Sequence, residues 1–306
     1  MYSQTAVLLL IHNNENQVNR LIKHLADDFD VYVHIDKRCS VKINKISNVK
    51  VFKKYKTYHG SFNQIIATLF LLKKAFNKNH NRYLLISGQD IPIKSNQEIK
   101  DFFLNNNSEY YYCQKLPREC WSGNGGYDRL TKYHNKKKYP RIDIVPKYNI
   151  SLRLKRKLLH ISSKIDRKIF QVISKRNNRK IDYEFFGGSN WFNFSHLCVK
   201  KIFDFLNIDK EYIKRYKWTS CADEIFYQTI IKRLDGINII NDDLRYVDWK
   251  NGPEYPKVLC VDDYERIIKS NKLFARKFDE NIDNKIIEMI YKDIEIKAMG
   301  TSHNKR

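Results

Sequence analysis

Ala6-Val7-Leu8-Leu9-Leu10-Ile11 is an unbroken apolar run of strand length, interrupted by His12-Asn13-Asn14-Glu15 and followed by Val18, Leu21, Ile22 and Leu25 at helical spacing. Val31-Tyr32-Val33-His34-Ile35-Asp36-Lys37 is a second run, and its poor alternation predicts burial on both faces. Strand, helix and strand within about thirty residues predict a βαβ unit and hence a parallel sheet. Ligands of such sheets sit beyond the carboxyl ends of the strands. This places His12, Asn13, His34, Asp36 and Lys37 at the ligand edge.

The pattern continues with a short strand at Val51-Phe52, and Tyr58-His59-Gly60-Ser61 then leads into Ile65, Ile66, Leu69, Leu72 and Phe76, an amphipathic helix. Tyr83-Leu84-Leu85-Ile86 predicts the next buried strand. It ends in Ser87-Gly88-Gln89-Asp90-Ile91-Pro92-Ile93, where Gly88 allows a tight turn and Asp90 emerges at the same edge as Asp36, either as a ligand group or as a turn-forming aspartate. Residues 110–121, with three consecutive tyrosines, and the following Ser122-Gly123-Asn124-Gly125-Gly126 read as a loop. Phe185-Phe186-Gly187-Gly188-Ser189-Asn190-Trp191-Phe192-Asn193-Phe194 predicts a glycine-entered strand, followed by a helix carrying Leu197, Val199, Ile202, Phe203 and Leu206. A further strand is expected near Ile237 and Ile240, before Arg245-Tyr246-Val247-Asp248-Trp249-Lys250.

Ser220-Cys221-Ala222-Asp223-Glu224-Ile225-Phe226-Tyr227-Gln228-Thr229 sets two adjacent acids before a helical pattern, so both are expected in a first turn, where the macrodipole favours negative charge. A carboxylate held there from a small-residue loop is also stiff enough to take a proton from a bound hydroxyl. Both readings stand on this run alone.

Composition adds a partner class. With 306 residues and 42% hydrophobic content the chain can bury a sizeable core, and its net charge of +23 points to an anionic partner. Residues 152–180 carry eleven Lys or Arg against Asp166 alone, with Leu154, Leu158, Ile161, Ile165, Ile169 and Val172 at helical spacing. Such a basic amphipathic segment suits an anionic membrane surface, or packs as an ordinary solvated helix. Nucleic acid is not expected, because no recognised motif accompanies the charge. Cys39, Cys113, Cys120, Cys198, Cys221 and Cys260 form no paired motif, which argues against zinc and for reduced thiols. Met1-Tyr2-Ser3-Gln4-Thr5-Ala6 lacks a basic leader region and the apolar run after it is short, so a cytoplasmic chain is expected, with peripheral contact at the inner membrane face.

In order, residues 6–37, Gly60-Ser61, residues 83–92, residues 188–191, Asp223-Glu224 through Thr229, Trp249, and Phe274-Ala275-Arg276-Lys277-Phe278-Asp279 resemble the core-2/I-branching β-1,6-N-acetylglucosaminyltransferases, glycosyltransferase family 14, which also holds protein O-xylosyltransferases. The resemblance spans about residues 5–280. It implies an α/β GT-A fold, a Rossmann-like, mixed but mostly parallel sheet flanked by helices. It implies inverting transfer from a UDP-sugar, without a divalent metal or other cofactor, to a glycan or lipid-linked glycan acceptor in cell-surface polysaccharide synthesis. Glu224 falls on the family's base, Lys277 on the lysine that holds the diphosphate, and Lys257 near an arginine with the same role. Asp36 matches the nucleotide-pocket aspartate, Trp249 a tryptophan beside the acceptor sugar, and Arg129 an acceptor-contacting arginine. One catalytic domain over residues 1–300 is expected, with a nucleotide half to about 105, an acceptor half over about 106–280, and a disordered tail at 301–306.

The chemistry of the residues agrees with that reading. Departure of UDP leaves negative charge on the diphosphate, which a metal or fixed cations must neutralise. The literal Asp-x-Asp, Asp28-Phe29-Asp30, precedes the second strand and so lies at the wrong end of the sheet for a metal site, whereas Lys257, Arg276 and Lys277 can supply positive charge. Inversion requires one base behind the acceptor hydroxyl and no covalent partner. Glu224 is assigned that role, with Asp223 beside it as a cap or first-turn charge on the acceptor side, His12 and Asp90 on the donor side and Trp191 on the acceptor side as a sugar-stacking candidate. N-acetylglucosamine is the expected sugar, with xylose the alternative. A catalytically idle carbohydrate-binding protein is disfavoured by the presence of Glu224.

Overall fold

The computed structural model describes residues 4–104, 106–134, 179–251 and 256–303, the last six of them by backbone alone. Strand β1 (Thr5–Ile11), helix α1 (Glu15–Ala26), β2 (Asp30–Ile35), β3 (Val49–Phe52), α2 (Phe62–Phe76) and β4 (Arg82–Ser87) open the chain. Next come β5 (Asp90–Pro92), α3 (Asn96–Leu104), β6 (Glu109–Lys115) and α4 (Tyr127–Thr131). After the undescribed stretch follow β7 (Phe186–Ser195), α5 (His196–Ile208), α6 (Lys210–Arg215), α7 (Phe226–Ile231), β8 (Ile239–Ile240), β9 (Arg245–Val247), α8 (Tyr264–Ile268), β10 (Phe274–Arg276) and α9 (Asn284–His303).

The main sheet has the order β3-β2-β1-β4-β7-β6-β8. β1 pairs in parallel with β2 and β4, β2 with β3, and β6 with β8, while β7 runs antiparallel to both β4 and β6. This is the mixed, mostly parallel, helix-flanked sheet that the family resemblance implied. The unbroken apolar runs have a direct cause. Val7 and Leu9 of β1 pack with Val33 and Ile86 into a layer under α1, while Leu8 packs with Tyr32 and Leu85 into the opposite layer, under α2 and α7. A strand buried on both faces has no polar side to alternate with. A second sheet, β5-β10-β9, packs Ile91 and Ala275 against Ile286, Ile287 and Ile290 of α9.

Three features go beyond the sequence reading. The tyrosine run is β6, an inner strand with Tyr110 and Tyr111 buried; aromatic residues suit a pleated, half-buried surface, and the loop begins only after Lys115. The antiparallel direction of β7 brings its glycine-rich start, rather than its end, to the ligand edge. Helix α9 runs through His303, into the stretch expected to be a tail. All six cysteines are free thiols, and no described helix is long and apolar enough to cross a membrane. Residues 152–178 of the basic segment lie outside the described residues. Arg179, at the end of that segment, faces protein: its guanidinium donates to the carbonyls of Arg215 at 2.6 Å, Lys132 at 2.7 Å and Arg129 at 3.2 Å.

Candidate active site

Two groups of side chains face the carboxyl edge of the parallel strands. The first begins where β1 and β2 end. His12, just past β1, is exposed at the edge, and its surroundings desolvate the ring enough to lower its pKa. Asp36 pulls that pKa back up, while the charges of Arg38, His59 and Arg276 push it further down. Asp36 itself has no exposed surface. Arg38 holds it by Nε at 3.0 Å, Nη2 at 2.6 Å and the backbone N–H at 2.8 Å, and the Thr57 N–H and hydroxyl add bonds at 3.0 and 2.9 Å. Burial raises the Asp36 pKa, but these donors outweigh it and leave the group below its usual value. The carboxylate is wholly engaged, and Arg38, stacked on Tyr58 at 4.0 Å, is the partly exposed member of the pair. His34 turns inward: it is buried, accepts the Tyr55 N–H at 3.1 Å and stacks on the Tyr55 ring.

Asp90 is also fully buried. It accepts the Ser87 N–H at 2.8 Å and lies 3.4 Å from Arg245 and 4.0 Å from Arg276. Of the two sequence readings, the turn-forming aspartate is the one its backbone bond matches, and its charge holds two arginines as well. Arg245 stays in the core and donates to the carbonyls of Leu85 and Asp243. Arg276, in register with Asp90 across β5 and β10, lies against the Trp191 ring at 4.2 Å with its side chain 14% exposed. Arg276 and Trp191 are thus brought together at the edge. Trp249 lies two residues past Val247, the register partner of Arg276, and is exposed. Lys257 lies 2.8 Å from the buried Asp263, which Arg266 also contacts, so its ammonium already has a carboxylate partner.

The second group centres on Glu224. Asp223 and Glu224 do not open α7. They belong to a single 3-10 turn, Ala222–Glu224, and Ile225, with φ of −131°, separates it from the helix. The dipole argument therefore gives way to a different device. Cys221 is left-handed, with φ of 46°, and donates its N–H to the Gly60 carbonyl at 2.8 Å. Gly60 is itself at φ of 63°, and a Cβ there would stand 2.8 Å from Cys221 Sγ. Only glycine lets the two loops close this tightly. The loop carrying His59 is thereby tied to the turn carrying Glu224, which joins the two groups. Asp223, expected on the acceptor side, is instead buried, where its charge helps burial raise the phenols of Tyr111 and Tyr227. Glu224 stays partly exposed and accepts a 2.6 Å hydrogen bond from Arg129 Nη1; Arg129 in turn lies on the Trp121 ring at 3.7 Å.

Strand β7 spans both groups. A Cβ on Gly187 would meet the Trp121 ring at 2.6 Å and the Glu224 carbonyl at 3.3 Å, while Trp191, four residues on, touches Arg276. Between Gly188 and Phe192 the pairing of β7 with β6 shifts register, a step of four residues along β7 standing opposite a step of two along β6, so this bulged stretch brings Gly187 to the Glu224 turn and Trp191 to Arg276. Sequence reading assigned no role to Arg38, Arg245 or His59; the basic residue directly after Asp36-Lys37 was the signal for Arg38, and nothing local marks Arg245. Among the described residues no cluster of three or more His, Cys, Asp or Glu could hold a metal ion.

The beta-glucuronosyltransferase GlcAT14B of Arabidopsis thaliana is 32% identical over 134 residues, 42% of this chain and 30% of that protein. GlcAT14A of the same plant is 27% identical over 124 residues, 39% of this chain and 27% of that protein. The matched segments span less than a third of either relative. The Core-2/I-branching enzyme family matches across residues 8–268, the stretch that holds the main sheet, Arg129, Glu224 and Lys257, and the chain belongs to that family, glycosyltransferase family 14.

Proposed function

We propose that the chain transfers a sugar, with inversion, from a UDP-sugar to a hydroxyl of a glycan acceptor. The observation that carries this is a partly exposed Glu224 carboxylate, oriented by Arg129, in the turn that adjoins the start of β7, with a partly exposed Arg276 guanidinium against Trp191 of the same strand. Glu224 takes the acceptor proton as the oxygen attacks the anomeric carbon. On the opposite side the diphosphate leaves toward Arg276 and Lys277, with Trp191 fixing the guanidinium plane. Fixed cations stabilise the developing charge without reorganising during the reaction. Asp90 and Arg245 set the height of Arg276, and Asp36 sets that of Arg38 at the nucleotide end.

The names of the plant relatives support glucuronic acid as the sugar, and the branching-enzyme resemblance supports N-acetylglucosamine. The basic 152–180 segment supports an acceptor carried at an anionic membrane. The test is UDP release from UDP-glucuronic acid, UDP-N-acetylglucosamine and UDP-xylose, each with EDTA and with added manganese. Turnover of one donor that persists in EDTA is the expected result. Turnover that disappears in EDTA and returns with manganese removes the cation-only reading, and no release from any donor removes the transfer itself.

A further inference from the structure

A glutamate base is useful only if its carboxylate points at the reacting hydroxyl, and a partly exposed side chain with several rotatable bonds does not hold one direction unaided. In this chain an arginine fixes it. Arg129 Nη1 donates to Glu224 Oε2 at 2.6 Å, and among the described residues Oε1 carries no hydrogen bond. The guanidinium is held in its own turn. It lies 3.7 Å from the centroid of the Trp121 ring, and Arg118 lies against the same ring at 4.4 Å. The indole is seated between two glycines: a Cβ on Gly126 would meet it at 2.5 Å and a Cβ on Gly187 at 2.6 Å. The backbone of α4 is clasped as well, by Arg179 at the Arg129 carbonyl.

The Arg129–Glu224 ion pair itself adds little to stability. Solvent-accessible ion pairs contribute about 0–1 kcal/mol, and Arg129 and Glu224 are 20% and 31% exposed. Two glycines, an indole and two arginines define the direction of one carboxylate instead. A planar guanidinium suits that purpose, because it can stack on a ring and donate in its own plane at once. The family resemblance would have Arg129 touch the acceptor; here its guanidinium is already on the base.

We propose that Arg129 is a positioning residue: it binds one oxygen of Glu224, leaves the other directed at the acceptor hydroxyl, and is itself aimed by Trp121. The proposal rests on the reading of Glu224 as the base. A positioned base activates water as it activates an acceptor alcohol, so donor hydrolysis without acceptor separates this role from acceptor contact. The assay is the rate of UDP release from UDP-glucuronic acid or UDP-N-acetylglucosamine, whichever the wild-type chain hydrolyses, alongside calorimetric binding of UDP to show that each variant is folded.

Arg129→Ala is expected to bind UDP as the wild type does while hydrolysis falls roughly 100-fold, the penalty of a misdirected reacting group. Arg129→Lys, which keeps the charge but cannot stack and donate together, falls between. In a Glu224→Gln background Arg129→Ala has no further effect, since there is no carboxylate left to aim. If Glu224→Gln abolishes hydrolysis but Arg129→Ala leaves it unchanged, the positioning role is overturned and the base assignment stands. If hydrolysis survives Glu224→Gln, the base assignment falls and the positioning role with it.

Discussion

Gly60→Ala tests whether the catalytic turn is held by the neighbouring loop. The new methyl would lie 2.8 Å from Cys221 Sγ and 3.1 Å from both the Cys221 Cα and N, and the backbone would have to keep φ at 63°. An L-residue in the left-handed region costs about 1–2 kcal/mol. Displacing Cys221 also strains the 2.8 Å bond from its N–H to the Gly60 carbonyl, a bond with a net value of about 1 kcal/mol. The sum is about 2–3 kcal/mol, and the entropy of unfolding of a chain this long turns that into a fall of roughly 3–5 °C in Tm. Because the strain is concentrated three residues before Glu224, activity should suffer more than stability. UDP release should drop at least tenfold at temperatures where the variant is fully folded, while UDP binds as before. Adding Cys221→Ala removes the Sγ clash but not the φ penalty, so the double variant should recover part of the lost activity. A Gly60→Ala protein with wild-type turnover would show that the loop contact does not set the Glu224 turn.

The remaining predictions concern the donor end and pH. Arg276→Ala should weaken UDP binding by roughly 10- to 100-fold, the span of a charge-assisted contact of about 1.5–3 kcal/mol; calorimetry showing unchanged affinity would remove Arg276 from the diphosphate. His12, His24 and His34 all have pKa values lowered from 6.5, chiefly by desolvation. Below pH 6.5 the unfolded chain therefore binds more protons than the folded one, so stability falls as the pH drops through the folded values. Urea midpoints should decline between pH 7 and about pH 5.5, and His34→Asn, which removes one of these groups, should flatten the decline.

Much of this was legible in the chain, and the limits have physical causes. β1, β2 and β4 announce themselves because strands buried on both faces need continuous apolar side chains; His12 and Asp36 follow β1 and β2 directly, whereas His34, expected at the ligand edge, turns inward onto Tyr55. β6 was hidden because Tyr110-Tyr111-Tyr112 can be read as polar as easily as apolar, and only its neighbours on both sides decide the matter. The position of Glu224 could be read, but not its support: the 3-10 turn depends on a contact between Gly60 and Cys221, far apart in sequence. Asp90 and Lys257 show the same limit for charge. Each looked available for a ligand, yet Asp90 lies buried against Arg245 and Arg276, and Lys257 against Asp263. Which partner satisfies a charge is a property of the fold.

Steady-state transfer by Glu224→Gln, with UDP affinity measured in parallel, tests the central claim most directly. The amide keeps the shape and can still accept from Arg129, but it cannot take a proton, so kcat should fall by roughly 100- to 10,000-fold with UDP bound as tightly as before. Turnover within a few-fold of wild type would contradict the assignment of Glu224 as the base.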